Sequence, residues 1–237
     1  MNHVNLIIRT CDRVHAFSST KKRDFGEKSE VIQKCLNSVK LSIDYFVERG
    51  GSVSVDIVDD HSSFDTINFI KEKFPYNFIN LLNGGNGNSF KKCIELAKIK
   101  KGLIFLLEDD YLMRLECITS LVESYSKIKK DIKQEICLFP SDYPDRYMNV
   151  YKSYILLGSD RHYRQIKHTT CTFMCDASII LEFENEISRF YNYGIDPKVN
   201  EDTSINLIYQ KYMCFSPIPS LAEHFQHKET LSPFFKL

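Results

Sequence analysis

The run Gly102-Leu103-Ile104-Phe105-Leu106-Leu107-Glu108-Asp109-Asp110 sets an unbroken apolar segment directly against three carboxylates. An apolar run of this length suits a strand buried on both faces of a parallel sheet. The patterns upstream of it alternate. Val4 to Ile8 is a short β-rich run. Glu27 to Val47 places Val31, Ile32, Cys35, Leu36, Val39, Ile43, Phe46 and Val47 at the spacings of an amphipathic helix, which Gly50-Gly51 stops. Ser52 to Val58 is a second strand. Ser63 or Asp65 can cap a helix marked by Ile67, Ile70 and Phe74 and ended by Pro75. Phe78 to Leu82 is a third strand, followed by the loop Asn83-Gly84-Gly85-Asn86-Gly87-Asn88 and a helix over Ser89 to Ala97. Strands alternating with helices predict an α/β fold with a mostly parallel, Rossmann-like central sheet flanked by helices.

Beyond the carboxylates, Leu115 to Ile128 carries a helical stripe, after which regularity weakens. Glu135 to Phe139, Ser153 to Leu157 and Thr170 to Met174 read as strands, and Ala177 to Phe190 and Thr203 to Tyr212 as helices. No repeat and no flexible linker separates the halves. The 237 residues are therefore expected to form a single domain, residues 116–237 packing on the sheet begun by residues 1–115.

The composition is that of an ordinary globular protein, 43% hydrophobic and 26% charged, and Lys+Arg balance Asp+Glu at 31 each. No overall pull toward nucleic acid or an anionic membrane follows, so an anionic ligand must be held locally. The segment from Met1 is too short and uncharged for a signal peptide, and no stretch reaches the roughly 18 apolar residues that crossing a bilayer needs. A cytoplasmic location is expected. The eight cysteines are scattered, mostly at apolar positions, and read as buried thiols; Cys171 and Cys175 alone make a weak zinc signal.

In open α/β sheets, ligands bind beyond the carboxyl ends of the strands. Three such ends are polar here: Arg9-Thr10-Cys11-Asp12-Arg13, Asp59-Asp60-His61-Ser62-Ser63 and Glu108-Asp109-Asp110. Alternation along a strand predicts that Glu108 and Asp110 share a face while Asp109 points away. Carboxylates so placed repel one another and are tolerable if solvated or bridged by a divalent cation. The same acids also suit an exposed turn capping the next helix.

Together these features resemble the GT-A glycosyltransferases, particularly the family-2-like group, across roughly the first 115 residues. The resemblance rests on the first strand leading into Arg9-Thr10, on Val58 to Ser63, on the Asn83–Asn88 loop, and on Glu108-Asp109-Asp110 standing as the DxD motif. It implies that Arg9, Thr10, Asp59, Asp60 and Asn88 bind the nucleotide part of a nucleotide-sugar donor, a UDP- or GDP-sugar, with Glu108 and Asp109 in support. It implies Mn²⁺ or Mg²⁺ on Asp110, with Glu108, although Glu in the first DxD position departs from the family. Glu201-Asp202 resembles the later acidic motif that supplies the base in inverting members, Asp202 being the candidate and Glu201 its neighbour; both acids also suit a helix N-terminus. His224 resembles the C-terminal histidine that completes the metal or diphosphate shell, with His227 as second choice.

Ser141 to Tyr147 could shape a site for a glycan or other hydroxyl acceptor, or be an ordinary turn. Tyr151 to His168, with Arg161, Arg164 and Lys167, reads as a solvated basic face rather than a phosphate-binding segment. A receiver-like phosphoacceptor would be about half this length, and a nucleotidylyltransferase would have a glycine-rich loop after the first strand, where this chain has no glycine until Gly26. The alternative to a transferase is a non-catalytic nucleotide- or sugar-binding protein of the same fold.

Overall fold

The computed structural model describes residues 3–13, 23–148, 150 and 152–235. Met1 and Tyr151, named above, lie outside them. One nine-stranded sheet runs through both halves of the chain. Its strands in chain order are β1 (His3–Thr10), β2 (Ser52–Asp59), β3 (Asn77–Asn80), β4 (Leu103–Glu108), then, after the short β5 (Tyr111–Met113), β6 (Cys137–Leu138), β7 (Ile155–Leu157), β8 (His162–Ile166), β9 (Phe173–Asp176) and β10 (Cys214–Ile218). The spatial order is β3-β2-β1-β4-β9-β6-β10-β8-β7. The first four strands are mutually parallel, and β9 is antiparallel to both β4 and β6.

The apolar run at the centre behaves as its composition demands. Leu103 to Leu107 are all at most 2% exposed, because β4 lies between β1 and β9 and is covered on both faces. Helix α1 (Lys28–Glu48) packs with α2 (Phe64–Lys73) and α4 (Cys117–Ile132), while α3 (Asn86–Lys98) packs on β1 and β2 and meets α6 (Ala177–Glu182). The stripe of α1 is buried as expected, except Val47. Ser63 is the N-cap of α2, and its amide donates to Asp12, which ties the loop after β1 to that helix.

The second half is where sequence and structure diverge. Ala177 to Phe190 is two short helices, α6 and α7 (Glu184–Ser188), running into a 3-10 turn at Arg189–Asn192; residues 205–210 form a second 3-10 turn. The described part of the Tyr151-to-His168 stretch is a solvated face only in part: Lys167 and His168 are exposed, but Arg161 and Arg164 are not free in solvent. It contains β8, paired with β10 and β7; Tyr163 is fully buried, Arg161 is held by Glu116 and Asp160, and Arg164 by Asp142. A helix of four residues, α5 (Asp145–Met148), follows the Ser141 segment. A separate ribbon pairs β5 with β11 (Ala222–His224), placing His224 opposite Tyr111. All eight cysteines are free and seven are buried, as the apolar reading expects. No helix among the described residues is long and apolar enough to cross a membrane.

The loop expected at Asn83 to Asn88 is only half a loop, since α3 begins at Asn86 with Gly85 as its cap at φ +114°. Gly87 stands in that first turn, where a Cβ would lie 2.0 Å from the carbonyl oxygen of Tyr191. Backbone against backbone cannot yield as a flexible side chain does. Gly87→Ala is therefore expected to destabilise the protein by about 2 kcal/mol, lowering the Tm by roughly 4–8 °C in a thermal melt.

Candidate active site

The register of the central strands builds the site. Thr10 pairs with Asp59 and Arg9 with Glu108, so the carboxyl ends of β1, β2 and β4 reach the same edge of the sheet. Beyond them lies a cavity of about 460 Å³ whose wall includes Arg9, Thr10, Asp60, Asn88, Glu108, Asp109 and Asp110. That volume falls in the range of small-molecule sites. The wall is completed by the start of α3 and, opposite it, by Tyr191, Tyr193 and Ile195.

The acids do not alternate as a strand would have them, because β4 ends at Glu108 and the chain turns through Asp109 and Asp110. Glu108 instead pairs with Arg9 at 2.6 Å, and Arg9 also binds the carbonyl and side chain of Asn86. Asp109 and Asp110 share Lys28, the first residue of α1, at 2.5 and 2.9 Å, and Asp109 also accepts from the Cys11 amide at 2.8 Å. Burial works against the Lys28 ammonium, yet the two carboxylates outweigh it and raise its pKa. Burial likewise pushes the Asp110 carboxyl up, but Lys28 and His224 reverse the shift and hold it well below the usual carboxylate range.

The β5–β11 ribbon brings His224 to this edge. Its Nε2 lies 3.4 Å from Asp110 Oδ1, its ring stacks on Tyr111 with centroids 4.9 Å apart, and Nδ1 is 3.2 Å from the Tyr143 hydroxyl. Burial disfavours the imidazolium, and Asp110 overcomes this to raise the pKa. Asp110 Oδ1 is buried without a hydrogen-bond partner, which fits a cation held between it and Nε2, with Tyr143 fixing the ring from behind. Glu108 is turned away to Arg9, and among the described residues no three His, Cys, Asp or Glu side chains are placed to hold a metal ion together. Asp110 and His224 are the two residues here that could hold a cation.

Comparison of the sequence with protein-family models finds no match, and comparison with curated proteins finds none either. Solved structures do match. The structure of S. aureus TarS 1-349 aligns with a TM-score of 0.54 over 90% of this chain at 12% identity, and that of S. aureus TarS likewise at 0.54 and 12%. TarS 1-349 in complex with UDP aligns at 0.50 and 11%. The fold is that of the GT-A glycosyltransferases. This chain spans 57% of the shorter TarS structure and 34% of the longer one.

Within the GT-A frame, the remaining residues singled out in the sequence sit as follows. Asp59 is buried and accepts from the Ser62 amide, holding the turn rather than lining the cavity. Asp60 lines it and accepts from the Gly85 amide at 2.8 Å. Glu201 is half-buried, and its pKa is raised by burial and by the nearby Glu108 and Asp202 carboxylates, with Arg9 opposing. Asp202 is exposed and bonds His168 and Asn206, both at 2.7 Å. His227 faces Asp24 at 3.7 Å. Asp142 sits in a buried cluster with Arg146 and Arg164, whereas Tyr143 of the same segment contacts His224. Lys28, Arg23, Cys11, Asn86 and the Tyr191–Ile195 wall were not anticipated. Lys28 looks in sequence like any polar residue of a first helical turn.

The Arg9 pair is the piece of this site most exposed to test. Removing the guanidinium leaves the Glu108 carboxylate without its cation in a mostly buried position. Arg9→Met is expected to destabilise the fold by about 3 kcal/mol, and Arg9→Met with Glu108→Gln to recover most of that, as read by urea denaturation of both variants.

Proposed function

We propose that the protein transfers a sugar from a nucleotide-sugar donor to an acceptor hydroxyl with inversion, with Mn²⁺ or Mg²⁺ assistance. The observation that carries this reading is the convergence of Arg9, Thr10, Asp60, Asn88 and the three acids of the β4 end on one cavity, with Asp110 Oδ1 buried beside His224. In this reading the Thr10 hydroxyl, buried and without a partner, and Asp60, which lines the cavity, take the base and ribose. The first turn of α3 presents backbone amides to the donor's phosphates. UDP is the favoured nucleotide, in keeping with the UDP complex of TarS, with GDP second. Asp110 and His224 are the residues that would hold the metal, which when bound neutralises the leaving diphosphate.

Of the acidic pair, Glu201 takes the part of the base. Its carboxyl lies within electrostatic reach of Glu108 and Arg9, whereas Asp202 is turned to His168 and Asn206. A carboxylate there removes the acceptor proton as the hydroxyl oxygen attacks the anomeric carbon. Residues 116–237 would supply the acceptor site, for a glycan or another hydroxyl-bearing molecule.

The test is a panel of UDP-, GDP-, CMP- and dTDP-sugars, read as Mn²⁺-dependent thermal stabilisation and slow donor hydrolysis in wild type and Asp110→Ala. One donor acting selectively, and lost in the variant, is expected. Stabilisation without turnover toward any acceptor or water indicates a binding protein instead, and no response to any donor rejects the reading.

The base assignment makes a separate prediction. Because the Glu201 pKa is raised, the rate should fall with decreasing pH through a limb lying above the ordinary glutamate value of 4.5. Glu201→Gln should remove that limb and lower kcat by about 100-fold or more while donor affinity holds; Asp202→Asn should leave both nearly unchanged.

A further inference from the structure

We propose that Lys28, with Arg23 beside it, binds the distal phosphate of the donor's diphosphate. The inference rests on the nucleotide-sugar reading and adds to it two residues outside the resemblance that suggested that reading.

Lys28 is held in place from several sides. It opens α1, whose start is fixed by a reciprocal capping box between Glu27 and Glu30, and its side chain is only 9% exposed although it lines the cavity. An ammonium has three N–H donors. Asp109 and Asp110 take two, leaving one for a ligand. Its contact on Asp110 is Oδ2, while Oδ1 faces His224, so the ammonium and a metal would occupy different sides of the same carboxylate. Arg23 lines the cavity too. Its Nη1 lies 3.8 Å from Asp110 Oδ2 and is buried with no hydrogen-bond partner, a guanidinium nitrogen that lacks an acceptor.

Charge and position agree. Two carboxylates against one ammonium and one guanidinium make a neutral cluster, into which a diphosphate and a divalent cation can enter together at little net charge. Arg9 is not available for this part, since it is occupied by Glu108 and Asn86. In the sheet, β4 lies on the far side of β1 from β2. A nucleotide seated at Thr10 and Asp60 therefore directs its outer phosphate toward the β4 end, where Lys28 stands.

The test is calorimetric titration of UDP, GDP, UMP and GMP into wild type, Lys28→Met, Lys28→Arg and Arg23→Met, in Mn²⁺ and again in EDTA. Wild type should prefer the diphosphate. Lys28→Met should weaken its binding at least tenfold while changing the monophosphate by less than threefold, Lys28→Arg should restore most of the loss, and Arg23→Met should act in the same direction. If Lys28→Met does not fold, Arg23→Met and Lys28→Arg carry the comparison. Equal affinity for the diphosphate in wild type and variants overturns the proposal. So does a parallel loss of mono- and diphosphate, which would make Lys28 only a support for the acids. If wild type binds no nucleotide at all, it is the nucleotide-sugar reading that fails.

Discussion

Three carboxylates crowd the end of a strand that is otherwise wholly apolar, and each has to find a cation from elsewhere in the chain. At an effective dielectric of about 20, two like charges 4 Å apart repel by roughly 4 kcal/mol, so the β4 end cannot be built without compensation. The chain supplies it from three directions. Arg9 comes from the neighbouring strand to Glu108, Lys28 from the first turn of α1 to Asp109 and Asp110, and His224 from the β5–β11 ribbon to the other oxygen of Asp110. The electrostatic demand of one strand end therefore ties α1 and the C-terminal ribbon to the sheet, and it gathers charged groups at one sheet edge, most of them lining a single cavity.

That arrangement divides the acids by role. Glu108 is committed to Arg9 and to the wall formed with α3, whereas Asp110 keeps one oxygen free of hydrogen bonds inside the protein. An unsatisfied buried carboxylate oxygen is costly to maintain. His224 offsets part of that cost across 3.4 Å, and in the proposed complex a cation between the two would offset the rest. The aromatic stack of Tyr111 on His224, with Tyr143 at Nδ1, fixes the position of the imidazole.

Much of the first half is legible in the sequence because its signals are local and long. The apolar run of β4, the stripe of α1 and the cap at Ser63 each declare their element, and a parallel sheet then forces the polar ends Arg9-Thr10, Asp59-Asp60 and Glu108-Asp109-Asp110 onto one edge. The second half is less legible for a physical reason. Its strands are two to five residues long, and β8 and β10 are recognised by each other rather than by their own composition. Arg161 and Arg164 look solvated in sequence, yet their partners Glu116 and Asp142 lie many residues away. Lys28 is the sharpest case, since nothing local distinguishes it from the other polar residues of its helix.

The central claim is that one nucleotide site, bounded by Thr10, Asp60 and the acids after β4, holds a metal between Asp110 and His224. A crystal structure of the protein with UDP and Mn²⁺ tests it most directly. The expected result is the nucleotide base beside Thr10 and Asp60 and the ion bound by Asp110 and His224 together with the diphosphate. A nucleotide seated away from the β4 end, or an ion held by other side chains, would contradict it.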